Sequence, residues 1–113
     1  MGVNKVKVLQ SDSKSNQKEM LAIYEAKFKA LADELRLKIM YELNQREKVC
    51  VCDLTEMVGL SQSQLSYHLK ILYDVNLINR EKIGTWHFYS LNKKEVTSLL
   101  SEDLCCILYP KKC

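Results

Sequence analysis

Thr55-Glu56-Met57-Val58-Gly59-Leu60-Ser61-Gln62-Ser63-Gln64-Leu65-Ser66-Tyr67-His68-Leu69-Lys70 reads as two short helices joined by a tight turn. Thr55 is small enough to sit against the second helix. Gly59 permits the turn, and Leu60 with Leu65 fixes the crossing of the two helices. Leu65, Leu69 and Leu72 recur on one stripe of the second helix and define its buried side. Ser63, Ser66, Tyr67 and Lys70 then face away from the core, with Gln62 at the N-terminal edge. Short polar groups at the start of such a helix reach base edges in the major groove of DNA. His68 is expected to be a satisfied histidine at the edge of the core.

Working upstream, Asp53 and Glu56 belong to the first turn of the supporting helix, where the helix dipole favours negative charge. Asp33 is an N-cap candidate for a helix carrying Leu35, Ile39, Met40 and Leu43. Asn16, with Glu19 three positions on, forms a capping pair for a first helix with Met20, Tyr24, Phe28 and Leu31. Downstream, Asn76 breaks the helical pattern. Two β-prone runs, 77–82 and 85–91, follow with a hairpin tip at Ile83-Gly84. Arg80 and Lys82 beside that tip suit contact with phosphate, and Glu81 dilutes their charge. Trp86, Phe88 and Tyr89 are expected to pack rather than to act as stacking platforms. Asn92 and Glu95 cap a last helix containing Val96, Leu99, Leu100 and Leu104, which Pro110 ends. The predicted fold is therefore mainly α with a β-hairpin wing, a winged helix-turn-helix. Residues 1–15 form a flexible arm, 16–109 the DNA-binding and dimerisation domain, and 110–113 a tail.

Bulk composition agrees with one small globular domain. The chain has 113 residues, 47% of them hydrophobic and 27% charged. With 3 Gly and 1 Pro it is not loop-rich, and its net charge of +3 permits a nucleic-acid partner without demanding one. No secretory or membrane-length apolar stretch is present, so a cytoplasmic protein is expected. Five Cys in a reducing compartment argue for free thiols rather than a disulfide framework. An enzyme is not expected. Cys50-Val51-Cys52 is not a Cys-x-x-Cys motif, and neither a phosphate-binding glycine loop nor a supported Ser/His/Asp grouping exists.

Cys50-Val51-Cys52-Asp53-Leu54 lies directly before the helix-turn-helix. Thiolates select soft or borderline ions. Positions i and i+2 diverge on a helix but share a side of extended chain, so Cys50 and Cys52 clasp one ion only if the backbone there is not regular helix. The helix N-terminus is expected to lower the thiol pKa.

The combined pattern resembles the ArsR/SmtB family of bacterial metal-responsive repressors. The matching residues are Leu31-Ala32-Asp33 with Arg36, the Cys50–Leu54 segment, Gly59 through Ser63, Ser66 through Lys70, Gly84, and Tyr89-Ser90-Leu91. They span roughly residues 20 to 100. The resemblance implies a homodimer that binds double-stranded operator DNA and leaves it when a metal or metalloid is captured. It implies pairing through the first and last helices, where the faces bearing Tyr24, Phe28, Leu99 and Leu100 would serve. Tyr67 departs from a pattern in which Arg or His is frequent. Arsenite-responsive relatives often carry a third Cys where this chain has Thr55. The remaining candidates are Cys105, Cys106 and Cys113, which either complete the Cys50/Cys52 site or form their own. Three thiols suit As(III) or Sb(III) as inducer. The last helix lacks the His of zinc-sensing relatives, yet a thiolate site for Cd(II), Pb(II) or Zn(II) stays open. So does a thiol-redox or persulfide sensor on the same scaffold.

Overall fold

The computed structural model describes residues 13–100. Along the chain, α1 (Ser13–Leu31) and α2 (Glu34–Asn44) precede a short strand β1 (Val49–Cys50). Then come α3 (Val51–Val58), α4 (Gln62–Asp74), β2 (Ile78–Ile83), β3 (Trp86–Leu91) and α5 (Lys93–Leu99). The expected order of elements is present, with β1 added. That strand is too short to carry a periodicity, and only its partner gives it identity. It pairs antiparallel with β3, Val49 opposite Tyr89 and Cys50 opposite Phe88, so the hairpin becomes a three-stranded sheet ordered β1-β3-β2.

Local chemistry sets most boundaries. Asp33 caps α2 by accepting from the amides of Leu35 and Arg36. The Arg36 amide first, then its guanidinium and the Leu35 amide, holds the Asp33 carboxyl below its usual pKa. Its capping contribution is thus complete above the ordinary carboxylate range and fades only as pH falls through the lowered value. Gly59 ends α3 at φ +71°, and Ser61 opens α4 in a reciprocal capping box with Gln64. Asn76 takes φ +68°, where α4 gives way to the wing. The wing turns at Gly84-Thr85, one residue later than expected, with Gly84 at φ +64°. At the other end, α1 begins at Ser13, so Asn16 lies inside the helix rather than at its cap. Leu104 and Pro110 lie outside the described residues.

The core gathers one face of each element. Ile39 and Leu43 of α2, Leu54 and Val58 of α3, Leu65, Leu69 and Leu72 of α4, Ile78 of β2 and Leu99 of α5 are buried together. Leu99 therefore faces the core and not a partner, because its helix packs its apolar side inward. Phe28 (40% exposed) and Leu100 (68%) do present apolar surface outward, as do Met20 and Ile23.

Two polar clamps fix α4. Buried Lys27 of α1 donates to the Val75 carbonyl at 2.7 Å and pairs with Glu95 at 3.1 Å, tying the C-terminal end of α4 to α1 and α5. A cation there also complements the helix dipole. Arg36 donates through Nε to the Ala30 carbonyl (2.6 Å) and through Nη1 to His68 Nδ1 (3.0 Å). A guanidinium only donates, so Nδ1 of buried His68 is the acceptor and bears no proton in this contact. Lys27→Met leaves a buried carbonyl without its donor and is expected to lower stability by about 1–3 kcal/mol. An unchanged urea midpoint would show that the clamp contributes nothing.

Candidate nucleic-acid interface and thiol site

Cys50 is both the last residue of β1 and the N-cap of α3, with extended backbone (φ −69°, ψ 144°). Its Sγ accepts from the Cys52 amide at 3.4 Å, as a serine hydroxyl does at other helix starts. Cys52 stands in the first turn. The helix has not yet settled into its period there, so both side chains turn to one side. Their sulfurs lie 2.6 Å apart, and both are free thiols. Cys50 is 8% exposed whereas Cys52 opens to solvent.

The electrostatics differ from the expectation. The Cys52 thiol is held above its ordinary pKa, first by its hydrogen bond with Cys50, then by desolvation and by the negative charges of Cys50 and Asp53. A second ionisable sulfur in contact and a carboxylate next door outweigh the helix N-terminus. Thr55, one turn on, spends its hydroxyl on the Cys52 carbonyl at 2.7 Å. Among the described residues no three His, Cys, Asp or Glu side chains converge as a metal cluster. Cys105, Cys106 and Cys113 lie outside the described residues.

The other surface is built by α4 and the wing. Gln62, Ser63, Ser66, Tyr67 and Lys70 are all exposed on the outer face of α4. Tyr67 sets its ring edge-on to His68, 5.2 Å between centroids. Lys70 meets Asp74 at 2.9 Å, an exposed pair of little energetic weight. Register decides the wing: Arg80 stands opposite Tyr89 and Lys82 opposite His87, so these four share one face. The Arg80 guanidinium lies 4.3 Å over the Tyr73 ring, which joins the wing to the end of α4. A groove of about 470 Å³ runs between α4 and that face, lined by Ser66, Lys70, Tyr73, Arg80 and His87 among others. Glu81 sits on the opposite face, opposite Phe88, and is neutralised by Lys48 at 2.8 Å.

Sequence reasoning missed His87 and Tyr73 on this surface, and it misplaced Trp86. Trp86 is 55% exposed at the wing tip instead of packed. Phe88 and Tyr89 are half-buried, and Tyr89 packs against the core. The hairpin is long enough to carry Trp86 beyond the helices, a distance invisible in residue type. A second groove, about 480 Å³, connects Cys52 and Thr55 with Gln62 at the start of α4 and with Thr85, Trp86 and His87 of the wing.

A reader helix on a capped supporting helix, flanked by a hairpin with a cationic face, defines a winged helix-turn-helix DNA-binding protein. Residues 33–80 match the model of the bacterial regulatory protein, arsR family. The arsenical resistance operon repressor of Bacillus subtilis is 64% identical over 93 residues, 82% of this chain and 89% of the relative. A cadmium resistance transcriptional regulatory protein CadC homolog of Staphylococcus aureus is 35% identical over 66% of this chain and 62% of its own length. An ArsR-like transcriptional regulator from Rhodococcus superposes with a TM-score of 0.72 over 83% of this chain and 89% of that one, and at 21% identity it bears on the fold alone. The chain belongs to the ArsR family of bacterial transcriptional regulators.

Proposed function

We propose that this chain is an arsenite-responsive repressor that holds operator DNA as a dimer and releases it when As(III), or Sb(III), is captured by Cys50 and Cys52. The observation that carries this reading is the placement of two facing thiols at the junction of β1 and α3. One sulfur belongs to a strand paired with the wing, and the other to the helix that supports the reader. The likeness to a repressor named for arsenical resistance supports the same ligand. A third thiol comes from Cys105, Cys106 or Cys113, because trivalent arsenic takes three sulfurs. Dimer contacts come from Phe28 and Leu100 on the outer faces of α1 and α5, and the protein works in the cytoplasm.

Thiol chemistry favours arsenous acid over the alternatives. This neutral hydroxide reacts with protonated thiols. Each cysteine gives its proton to a hydroxyl that leaves as water, and its sulfur bonds to arsenic. A Cys52 held protonated suits that exchange. It opposes Cd(II), Pb(II) or Zn(II), which must expel the proton. It also lowers the thiolate fraction that a peroxide or persulfide sensor needs.

Operator recognition falls to Gln62, Ser63, Ser66, Tyr67 and Lys70 on α4, with Arg80 and Lys82 of the wing on phosphate. Replacing Ser63 and Ser66 together by Ala is expected to weaken operator binding by about 10- to 100-fold, given about 1–3 kcal/mol for a good base contact. Arsenite affinity should stay the same. Fluorescence anisotropy of a labelled operator duplex reads the first and an arsenite titration of DNA-free protein the second. Unchanged DNA affinity would remove both serines from the readout.

A further inference from the structure

The tip of the wing carries two large apolar side chains where a phosphate-binding hairpin needs only cations. Ile83 and Trp86 face each other across the strands, directly flanking the Gly84-Thr85 turn, and are 46% and 55% exposed. Isolated exposed apolar residues need no explanation, but a cross-strand pair at the extremity of a hairpin is a small apolar cap. Its surroundings suggest what it meets. Lys82 adjoins Ile83, His87 adjoins Trp86, and Arg80 lies on the same hairpin. The groove walled by Trp86 is also walled by Ser61 and Gln62, the cap and first residue of the reader helix. One surface that receives Gln62 therefore also receives the tip.

We infer that Ile83 and Trp86 form a second, apolar DNA contact, laid against the sugars of the minor groove beside the bases read by α4. The inference rests on operator binding through α4. Minor-groove proteins use apolar side chains as wedges against sugars and base steps, with cations alongside to neutralise phosphate. An apolar contact of this kind releases no counterion, whereas a lysine on phosphate releases about one. The two contributions are thereby separable by salt.

The chain contains 1 Trp, so its emission reports on the tip without labelling. Titration of the full-length protein with operator duplex is expected to change Trp86 emission in step with anisotropy-measured binding. Trp86→Ala should lose operator affinity by about 10-fold with the slope of log K against log salt unchanged. Lys82→Ala should lose affinity with that slope reduced in magnitude by about 1. Trp86→Phe should recover most of the loss, and thermal melts of all three should match the unaltered protein. Full affinity in Trp86→Ala overturns the contact, and so does an emission blind to operator but responsive to protein dilution, which assigns the tip to a second copy. Unaltered protein that binds no duplex overturns both this contact and the operator reading; a loss confined to Trp86→Ala with an altered salt slope overturns its apolar character.

Discussion

Cys52→Ser is expected to hold operator DNA as tightly as the unaltered protein and not to let go when arsenite is added. Saturating arsenite should cost the unaltered repressor about 5- to 150-fold in operator affinity, the usual span of coupling between two sites. In the variant that factor falls to one. Serine preserves the size of the side chain and its place in the first turn of α3, so the reader helix keeps its support through Leu54 and Val58. What is lost is the second sulfur. Cys50 alone sits on β1, hydrogen-bonded into the sheet opposite Phe88. Only with Cys52 does capture tie that strand to the start of α3, and through it to α4. Linkage requires the converse: operator DNA must weaken arsenite binding by the same factor. Equal arsenite affinity with and without operator, or normal release by Cys52→Ser, would move the sensor elsewhere in the chain.

Ligand choice should respond to pH in opposite ways for the two ligand classes. The Cys52 thiol keeps its proton at neutral pH because the Cys50 sulfur and the Asp53 carboxylate disfavour the thiolate. Cadmium must displace that proton. Below the raised thiol pKa its affinity should therefore climb about 10-fold per pH unit for each proton released, since protons compete directly for sulfur. Arsenous acid retains the proton balance, thiol proton and hydroxyl leaving together as water, so its affinity should be nearly flat between pH 6 and 8. Asp53→Asn removes one of the charges that raise the Cys52 pKa and should improve cadmium binding while leaving arsenite unaffected. Calorimetry of DNA-free reduced protein in buffers of different ionisation enthalpy counts the protons. An arsenite affinity that rises as steeply as that of cadmium would refute the neutral-thiol account.

Most of the architecture was legible because it rests on local chemistry. A cap, a glycine at positive φ and a 3.6-residue stripe act within one or two turns, and each of Asp33, Gly59, Ser61, Asn92 and the Leu65/Leu69/Leu72 series does what its type and spacing dictate. The proximity of Cys50 and Cys52 was legible to the same extent, as a condition on the backbone. Asn16 misled because a capping pattern is only an offer, and α1 extends past it.

The sequence by itself determined the helix order, the hairpin, the inward face of the reader helix and the candidate thiols, since these depend on neighbours a few residues away. Tertiary structure alone decided that Cys50 belongs to a sheet, that Leu99 turns to the core, that Lys27 and Arg36 hold α4 from outside, and that Trp86 stands free at the wing tip beside the sulfur pair. Each of these depends on partners 30 or more positions distant. Residue type records what a side chain can bond, and packing chooses which bond it makes.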